Sequence, residues 1–386
     1  MKSLRIESVF NHTSGYGSVA RSFATELQKQ QRENIDLKLY NITQNFRSQE
    51  EKQFSYLWDD AKMVPLFQKD LHADVSLLWS SPEEILTIAK DGKIRYNENT
   101  VKHNYVAWEL DKIPNLWASM LQDYKSDLIL TPSIYSKNSI TNMIDDIPVE
   151  VVPHGYDPKV FFKKDKTKKR KSFVVLYNGT WIKRKGTLES ILATINALRG
   201  TNSEIWINIH YNDAIVKNIK RTLQTSVARS FYTNFDNKNL PKIFIFNKYL
   251  AEKEMNVMYN KADIVISGSR GEGFNMPVLE SIATKTPVIV TNQGGHMDFI
   301  KSDYKFLVKT NGLVYSSGDG FYDTKLGLKW LDVDYSHMSD LILDAYNMWA
   351  DDKTKLESLG QDLYENIKGL TWSNAVDTYL NYAELY

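Results

Sequence analysis

The sequence predicts an α/β protein of two Rossmann-like, doubly wound domains, each a parallel sheet covered by helices on both faces. Three observations carry that expectation. Short apolar runs bounded by turn residues alternate with helical periods almost throughout, the pattern of strand–helix–strand units. A basic run near the middle interrupts the alternation, which then restarts. A chain of 386 residues also exceeds what one hydrophobic core organises.

In the first half, strands are expected at 4–10, 36–40, 75–79, 104–108, 128–131 and 150–152, with helices at 19–30 and 133–143 among them. The interruption, "FFKKDKTKKRKS", places seven basic residues among the nine from Lys163 to Lys171. Like-charge blocks resist packing, so a solvated linker is one reading and contact with an anionic membrane or nucleic acid is the other. Beyond it come a strand at 173–177, a helix at 188–198 and strands at 204–210, 243–246, 264–267 and 287–291. The closing "LTWSNAVDTYLNYAELY" is amphipathic. The expected organisation is therefore an N-terminal domain over 1–165, a C-terminal domain over 166–365, and a terminal helix in 366–386 packing back toward the first domain.

Bulk properties exclude several classes. A net charge of +1 provides no global field toward nucleic acid. The absence of cysteine removes disulfides, thiolate metal sites and cysteine nucleophiles together. No clustered His/Asp/Glu spacing suggests a metal. No apolar run approaches the roughly 18 residues needed to span a bilayer, and the start, "MKSLRIESVF", lacks an apolar signal core. A cytoplasmic setting is expected.

The most informative segment is "SGSRGEGFNMPVLE", Ser267 to Glu280. It reads as a strand end, a glycine-rich loop, and a helix with Pro277 in its first turn, where proline's missing N–H is not needed. Glycines let a ligand approach backbone N–H groups, and the helix start adds partial positive charge, a combination suited to phosphate. Glu280, about one turn in, could accept hydrogen bonds from the paired hydroxyls of a ribose or merely complement the helix dipole. Both readings stand on local pattern alone.

"EGFNMPVLE" resembles the Glu-x7-Glu signature of the family 4 glycosyltransferases, and "SIATKTPVIVTNQGG" resembles the stretch that follows it there. The resemblance implies the B-type glycosyltransferase (GT-B) fold, with two Rossmann-like domains facing a cleft. The C-terminal domain would hold a nucleotide-sugar donor, the N-terminal domain would be the acceptor side, and transfer would retain anomeric configuration; no metal or other cofactor is expected. Carried over, Glu272 would meet the donor sugar, Glu280 the ribose, and the backbone around Gly273, Phe274, Asn275 and Met276 the sugar and diphosphate. Asn275 stands where the family usually has glycine, and asparagine tolerates left-handed geometry better than most residues.

"NGTWIKRKG", Asn178 to Gly186, follows the first strand of the second domain. Lys185-Gly186 resembles the family's Lys-Gly pair, while Thr180 stands where many members have arginine. Lys185 and Arg184 would stabilise the departing diphosphate, whose charge grows in the transition state. "NHTSGYGSVA" places Gly15 and Gly17 after the first strand; the resemblance implies contact with acceptor or donor phosphate. Its loose dinucleotide fingerprint lacks an acid at the end of the second strand, which disfavours NAD. Glu109, in "YVAWELDKIP", could bind or help deprotonate an acceptor hydroxyl, or be structural. His154, in "VVPHGYDPKVF", is expected to be structural or cleft-lining. The acidic Asp332–Val333–Asp334 is better explained by helix-start chemistry than by metal binding.

The expected activity is transfer of a hexose from a nucleotide-diphosphate sugar to an acceptor hydroxyl on a glycan, lipid-linked, protein or nucleic-acid acceptor. UDP is the default nucleotide and GDP the rival. Two alternatives remain: a phage-type enzyme glycosylating a nucleic-acid base, and a non-catalytic sugar-nucleotide-binding protein of the same fold.

Overall fold

The computed structural model describes residues 1–10, 15–42, 63–67, 72–81, 99–164, 171–209, 213–230, 239–317 and 324–384. They form two compact units, Met1–Gly155 with Leu370–Tyr386, and Tyr156–Gly369.

The first unit runs β1 (Lys2–Ser8), α1 (Gly15–Gln30), β2 (Ile35–Asn41), β3 (Val75–Trp79), β4 (Val101–Tyr105), α2 (Asn115–Asp123), β5 (Leu128–Thr131), α3 (Ile134–Thr141) and β6 (Val149–Val151). Its strands pair in the order β2-β1-β3-β4-β5-β6, all parallel. Every residue of β3 and β5 is buried, as continuous apolar runs should be in a sheet covered on both faces. The order reverses between β1 and β3, the kind of switch point at which doubly wound sheets bind ligands.

The segment Leu370–Tyr386 closes this unit although it ends the chain. Tyr379 meets Phe23 of α1 edge-on at 5.6 Å, and Arg32 pairs with Asp377 at 2.5 Å. Gly155 passes so close to the backbone of Thr371 and Trp372 that any Cβ there would collide. The strand expected at 104–108 is Val101–Tyr105, so Glu109 lies in the loop beyond it and His103 within it. His103 is buried beside Tyr379, and burial lowers its pKa to about 4.

The second unit begins at Tyr156 rather than at 166, because the chain after the boundary is bonded into it. The backbone N–H groups of Phe162 and Lys164 donate to the side chains of Asn256 and Asn260 at 3.2 and 2.7 Å. The centre of the basic run, 165–170, lies outside the described residues. The unit continues through β7 (Phe173–Asn178), α4 (Thr187–Ala197), β8 (Ser203–Ile209), α5 (Asp213–Ser230), β9 (Lys242–Asn247), α6 (Glu252–Lys261), β10 (Ile264–Ser267), α7 (Met276–Ala283), β11 (Val288–Thr291) and β12 (Leu307–Val308).

These strands form a second parallel sheet, β12-β11-β10-β7-β8-β9. Numbered within the unit, this is the 3-2-1-4-5-6 order of dinucleotide-binding sheets, and the switch point falls between β7 and β10. Val175 and Tyr177 of β7, Ile191 and Ile195 of α4 and Ile266 of β10 belong to one buried core.

A separate antiparallel hairpin, β13 (Thr310–Tyr315) and β14 (Lys329–Val333), follows. The strand–helix alternation gave no expectation of it. Helices α8 (Tyr335–Asp351), α9 (Lys353–Ile367) and α10 (Trp372–Tyr382) complete the chain. Asp334 caps α8, its carboxylate accepting from the His337 N–H at 2.9 Å, so half of the acidic pair is helix-start chemistry as expected. Asp332 lies inside β14. Among the described residues, no helix is long and apolar enough to cross a membrane.

Candidate functional site

The site in the second unit is built by the loops that leave the carboxyl ends of β7 and β10, which are neighbours in the sheet. Gly186 caps α4 in the left-handed region (φ 57), and a Cβ there would strike the Gly268 carbonyl and the Tyr335 hydroxyl. Glycine at 186 therefore lets the two loops touch. They are then laced together: the Arg270 N–H donates to the Arg184 carbonyl at 2.7 Å, and Arg184 Nη1 donates to the Gly271 carbonyl at 2.6 Å. A third loop joins from β11, where the Gly295 N–H donates to the Glu272 carbonyl at 2.8 Å.

Between these loops sits a charge cluster. Lys185 Nζ lies 2.7 Å from both carboxylate oxygens of Glu272, and Arg184 Nη1 lies 3.7 Å from Oε2. Glu272 is only 4% exposed, so it needs this company. Burial pushes its pKa up, but Lys185 and then Arg184 outweigh burial and hold it below the ordinary value of 4.5. Lys185 keeps more exposure than Arg184, 20% against 8% of the side chain. Arg184 also joins the two loops through its bond to the Gly271 carbonyl. Thr180 is exposed, and its carbonyl accepts from the Thr187 hydroxyl at 3.0 Å.

The start of α7 comes next. Asn275 adopts the left-handed conformation (φ 76, ψ 63) and its side chain donates to the Ser267 hydroxyl at 3.0 Å. No side chain caps the helix, and Pro277 sits in its first turn. The tolerance that asparagine shares with glycine is thus used at the position where the signature usually has glycine. Phe274 is buried against Phe299 at 5.2 Å, whereas Met276 is partly exposed. Beside the cluster, His296 is fully buried, and its Nε2 donates to the Thr291 carbonyl at 2.6 Å. Burial lowers its pKa and keeps the ring neutral.

Glu280 has a different environment. The Tyr259 hydroxyl, completely buried, donates to Glu280 Oε2 at 2.7 Å and accepts from Asn178 Nδ2 at 2.8 Å. Asn208 Nδ2 in turn donates to Asn178 Oδ1 at 2.9 Å. This chain links β8, β7, α6 and α7 across the sheet's carboxyl edge. Burial raises the Glu280 pKa to about 8, only partly opposed by the Tyr259 hydrogen bond. Tyr259 and the two asparagines were not singled out from sequence. Their signal was the placement of Asn178 and Asn208 at strand ends.

The remaining expected residues belong to the first unit. Gly15 and Gly17 lie in the first turn of α1 rather than in a loop, and a Cβ at Gly15 would meet open space. Between them, the Tyr16 hydroxyl donates to the Ala107 carbonyl at 2.9 Å and accepts from the Ala107 N–H at 3.1 Å. That bond ties the helix start to the loop carrying partly buried Glu109. His154 is buried and stacked on Tyr105 at 5.5 Å; burial drops its pKa to about 3, so it stays neutral.

Residues 159–318, which contain the whole site of the second unit, match the family model for glycosyl transferases, group 1. Across the entire chain, the structure superposes on sucrose-phosphate synthase from Thermosynechococcus elongatus with a TM-score of 0.67 at 13% identity, covering 99% of that chain. The likeness to Anabaena HepE, solved with UDP and glucose, gives a TM-score of 0.68 at 11% identity and covers 100% of both chains. The fold is GT-B.

In sequence, this GT-B chain is 26% identical over 155 residues to mannosylfructose-phosphate synthase of Agrobacterium fabrum, 38% of this chain and 33% of that protein. It is 22% identical over 255 residues to a protein of Sulfolobus islandicus filamentous virus whose name assigns it to the glycosyltransferases, 64% of each. The matched stretches thus span a third and just under two thirds of those relatives.

Proposed function

We propose that the chain is a retaining, metal-independent glycosyltransferase that moves a hexose from a nucleoside-diphosphate sugar to an acceptor hydroxyl. The observation that carries the reading is the convergence of Lys185, Glu272, Glu280 and the start of α7 at one switch point. It offers a cation and a helix start for a diphosphate, one carboxylate toward a sugar and another toward a ribose. The group 1 match over the same residues supports it.

On this reading, Lys185 exchanges one carboxylate oxygen of Glu272 for a phosphate oxygen, and Glu272 turns its released acceptor capacity to sugar hydroxyls. The bond from the anomeric carbon to the diphosphate oxygen breaks, and Lys185 with the α7 N–H groups stabilises the charge that develops there. The acceptor oxygen bonds to the anomeric carbon on the face the diphosphate leaves. Its proton passes to the departing phosphate, so the protein supplies no strong base. Lys185 takes the charge-stabilising role that a metal ion would otherwise supply.

The test is a thermal-shift screen with UDP, GDP, ADP and their sugars, followed by donor hydrolysis with and without EDTA. One nucleotide at 100 times its dissociation constant should stabilise by about 2.7 kcal/mol, and hydrolysis should be unaffected by EDTA. No shift with any nucleotide would sink the donor site; strict dependence on a divalent ion would sink metal independence.

A further inference from the structure

The loops that form the charge cluster also wall a second recess. Trp181, Lys183, Glu189 and Arg270 meet Tyr315 and Trp330 of the β13–β14 hairpin around a pocket of about 520 Å³. Small-molecule sites typically enclose roughly 300–1,000 Å³. Lys185, Glu272 and Glu280 are not among its lining residues. Arg184 and Lys185 turn toward the cluster while Trp181 and Lys183 of the same loop turn toward the recess. Both features are therefore built by the loops leaving the carboxyl ends of β7 and β10.

The chemistry of the walls is specific. The Arg270 guanidinium carbon lies over the rings of Trp330 and Tyr335, 5.7 and 5.3 Å from their centroids, within cation–π range. The guanidinium bonds to Glu189 at 3.2 Å, which offsets its charge within the pair, while Lys183 lines the recess and Lys329 lies over the Tyr315 ring at 5.2 Å. A guanidinium has five N–H donors and a carboxylate about four acceptor positions; one hydrogen bond between them leaves both able to donate and accept further. Adjacent sugar hydroxyls, each donor and acceptor at once, match such a pair. Tyr315 is 65% exposed and Val314 beside it 40%, and with partly exposed Trp181 they offer aromatic and apolar surface for the C–H face of a sugar ring.

We propose that this recess binds a neutral saccharide ring, as an anchor for the acceptor beside the donor cluster. The acceptor role rests on the glycosyltransferase reading; saccharide binding itself does not. The probes are methyl α-glucopyranoside, methyl α-mannopyranoside and N-acetylglucosamine, titrated into the full chain by saturation-transfer NMR and tryptophan fluorescence without nucleotide. At least one should bind saturably with a dissociation constant in the millimolar range. Tyr315→Ala, an exposed position, should weaken binding at least fivefold, as should Glu189→Ala. Saturating UDP should leave it unchanged.

The proposal is overturned if no probe saturates, if Tyr315→Ala and Glu189→Ala both bind as wild type, or if UDP competes with the saccharide. A chain that binds the saccharide but no nucleotide would keep this pocket and refute the donor site, so the two readings fail separately.

Discussion

Glu272 and Glu280 leave the same loop-and-helix segment, yet one faces two cations and the other a phenol. At the Glu272 end, Lys185 and Arg184 hold the carboxylate charged. At the Glu280 end, Tyr259 supplies one hydrogen bond but no positive charge, and burial leaves the pKa near 8. The first region is a charge-balanced cluster that can trade a carboxylate for a phosphate. The second holds a carboxyl group poised to lose its proton when hydroxyl donors arrive. Two glutamates at a fixed spacing thus acquire opposite electrostatics from the strands and helices around them.

The two regions also differ in what pH does to the fold. Glu272, with its pKa lowered, contributes stability that is present above its unfolded value near 4.5 and lost as pH falls through its folded value. Glu280 has a raised pKa, so its contribution is intact below about 4.5 and is lost as pH climbs through about 8.

The largest effect is expected at the cationic end. Lys185→Ala should cut transfer or donor hydrolysis by about 10²–10³-fold. It should also cost about 3 kcal/mol in urea unfolding, because Glu272 stays buried with a more distant partner. Adding Glu272→Gln should restore the stability but not the rate. Recovery of both would reduce the cluster to a structural ion pair.

Glu280→Gln should behave in the opposite way. Nucleotide affinity should fall about tenfold, in line with lost hydrogen bonds to a charged group. Stability at pH 9 should rise by on the order of 2 kcal/mol, since the raised pKa no longer penalises the fold. Loss of both affinity and stability would make Glu280 a packing residue.

A smaller effect separates Glu280 from its support. In wild type, nucleotide affinity should increase as pH rises through about 8 and level off above. Tyr259→Phe removes the hydrogen bond that holds this pKa down, so the inflexion should move to higher pH, with affinity at pH 7 reduced about threefold. An unmoved inflexion would sever Tyr259 from the site. Smallest of all, Asn275→Gly should keep activity within about twofold and stability within about 1 kcal/mol. Glycine accepts the same left-handed geometry, and only the Ser267 hydrogen bond is lost.

Much of this was legible in the sequence, for identifiable reasons. The run "FVVLY" reads as a strand of a parallel sheet covered on both faces, and it is buried in one that extends through Asn178. The Glu272–Glu280 spacing and Pro277 announce a loop feeding a helix. Asn275 is a residue that tolerates left-handed backbone, and it adopts it. Tyr259 could not be found, since a tyrosine on a helix 21 residues before Glu280 looks like any core aromatic until the sheet brings them together. Sequence shows the charge of Arg184 but not its burial; the structure buries it, with its guanidinium bonded to the Gly271 carbonyl. The β13–β14 hairpin escaped because its strands are not part of the strand–helix alternation.

The most direct test of the division between a diphosphate end and a nucleoside end is calorimetric titration of UDP and of uridine, or the guanine pair if GDP shifts melting more, into wild type and Lys185→Ala. Lys185→Ala should weaken the diphosphate at least tenfold and leave the nucleoside unchanged. Equal losses for both ligands, or none for the diphosphate, would contradict it.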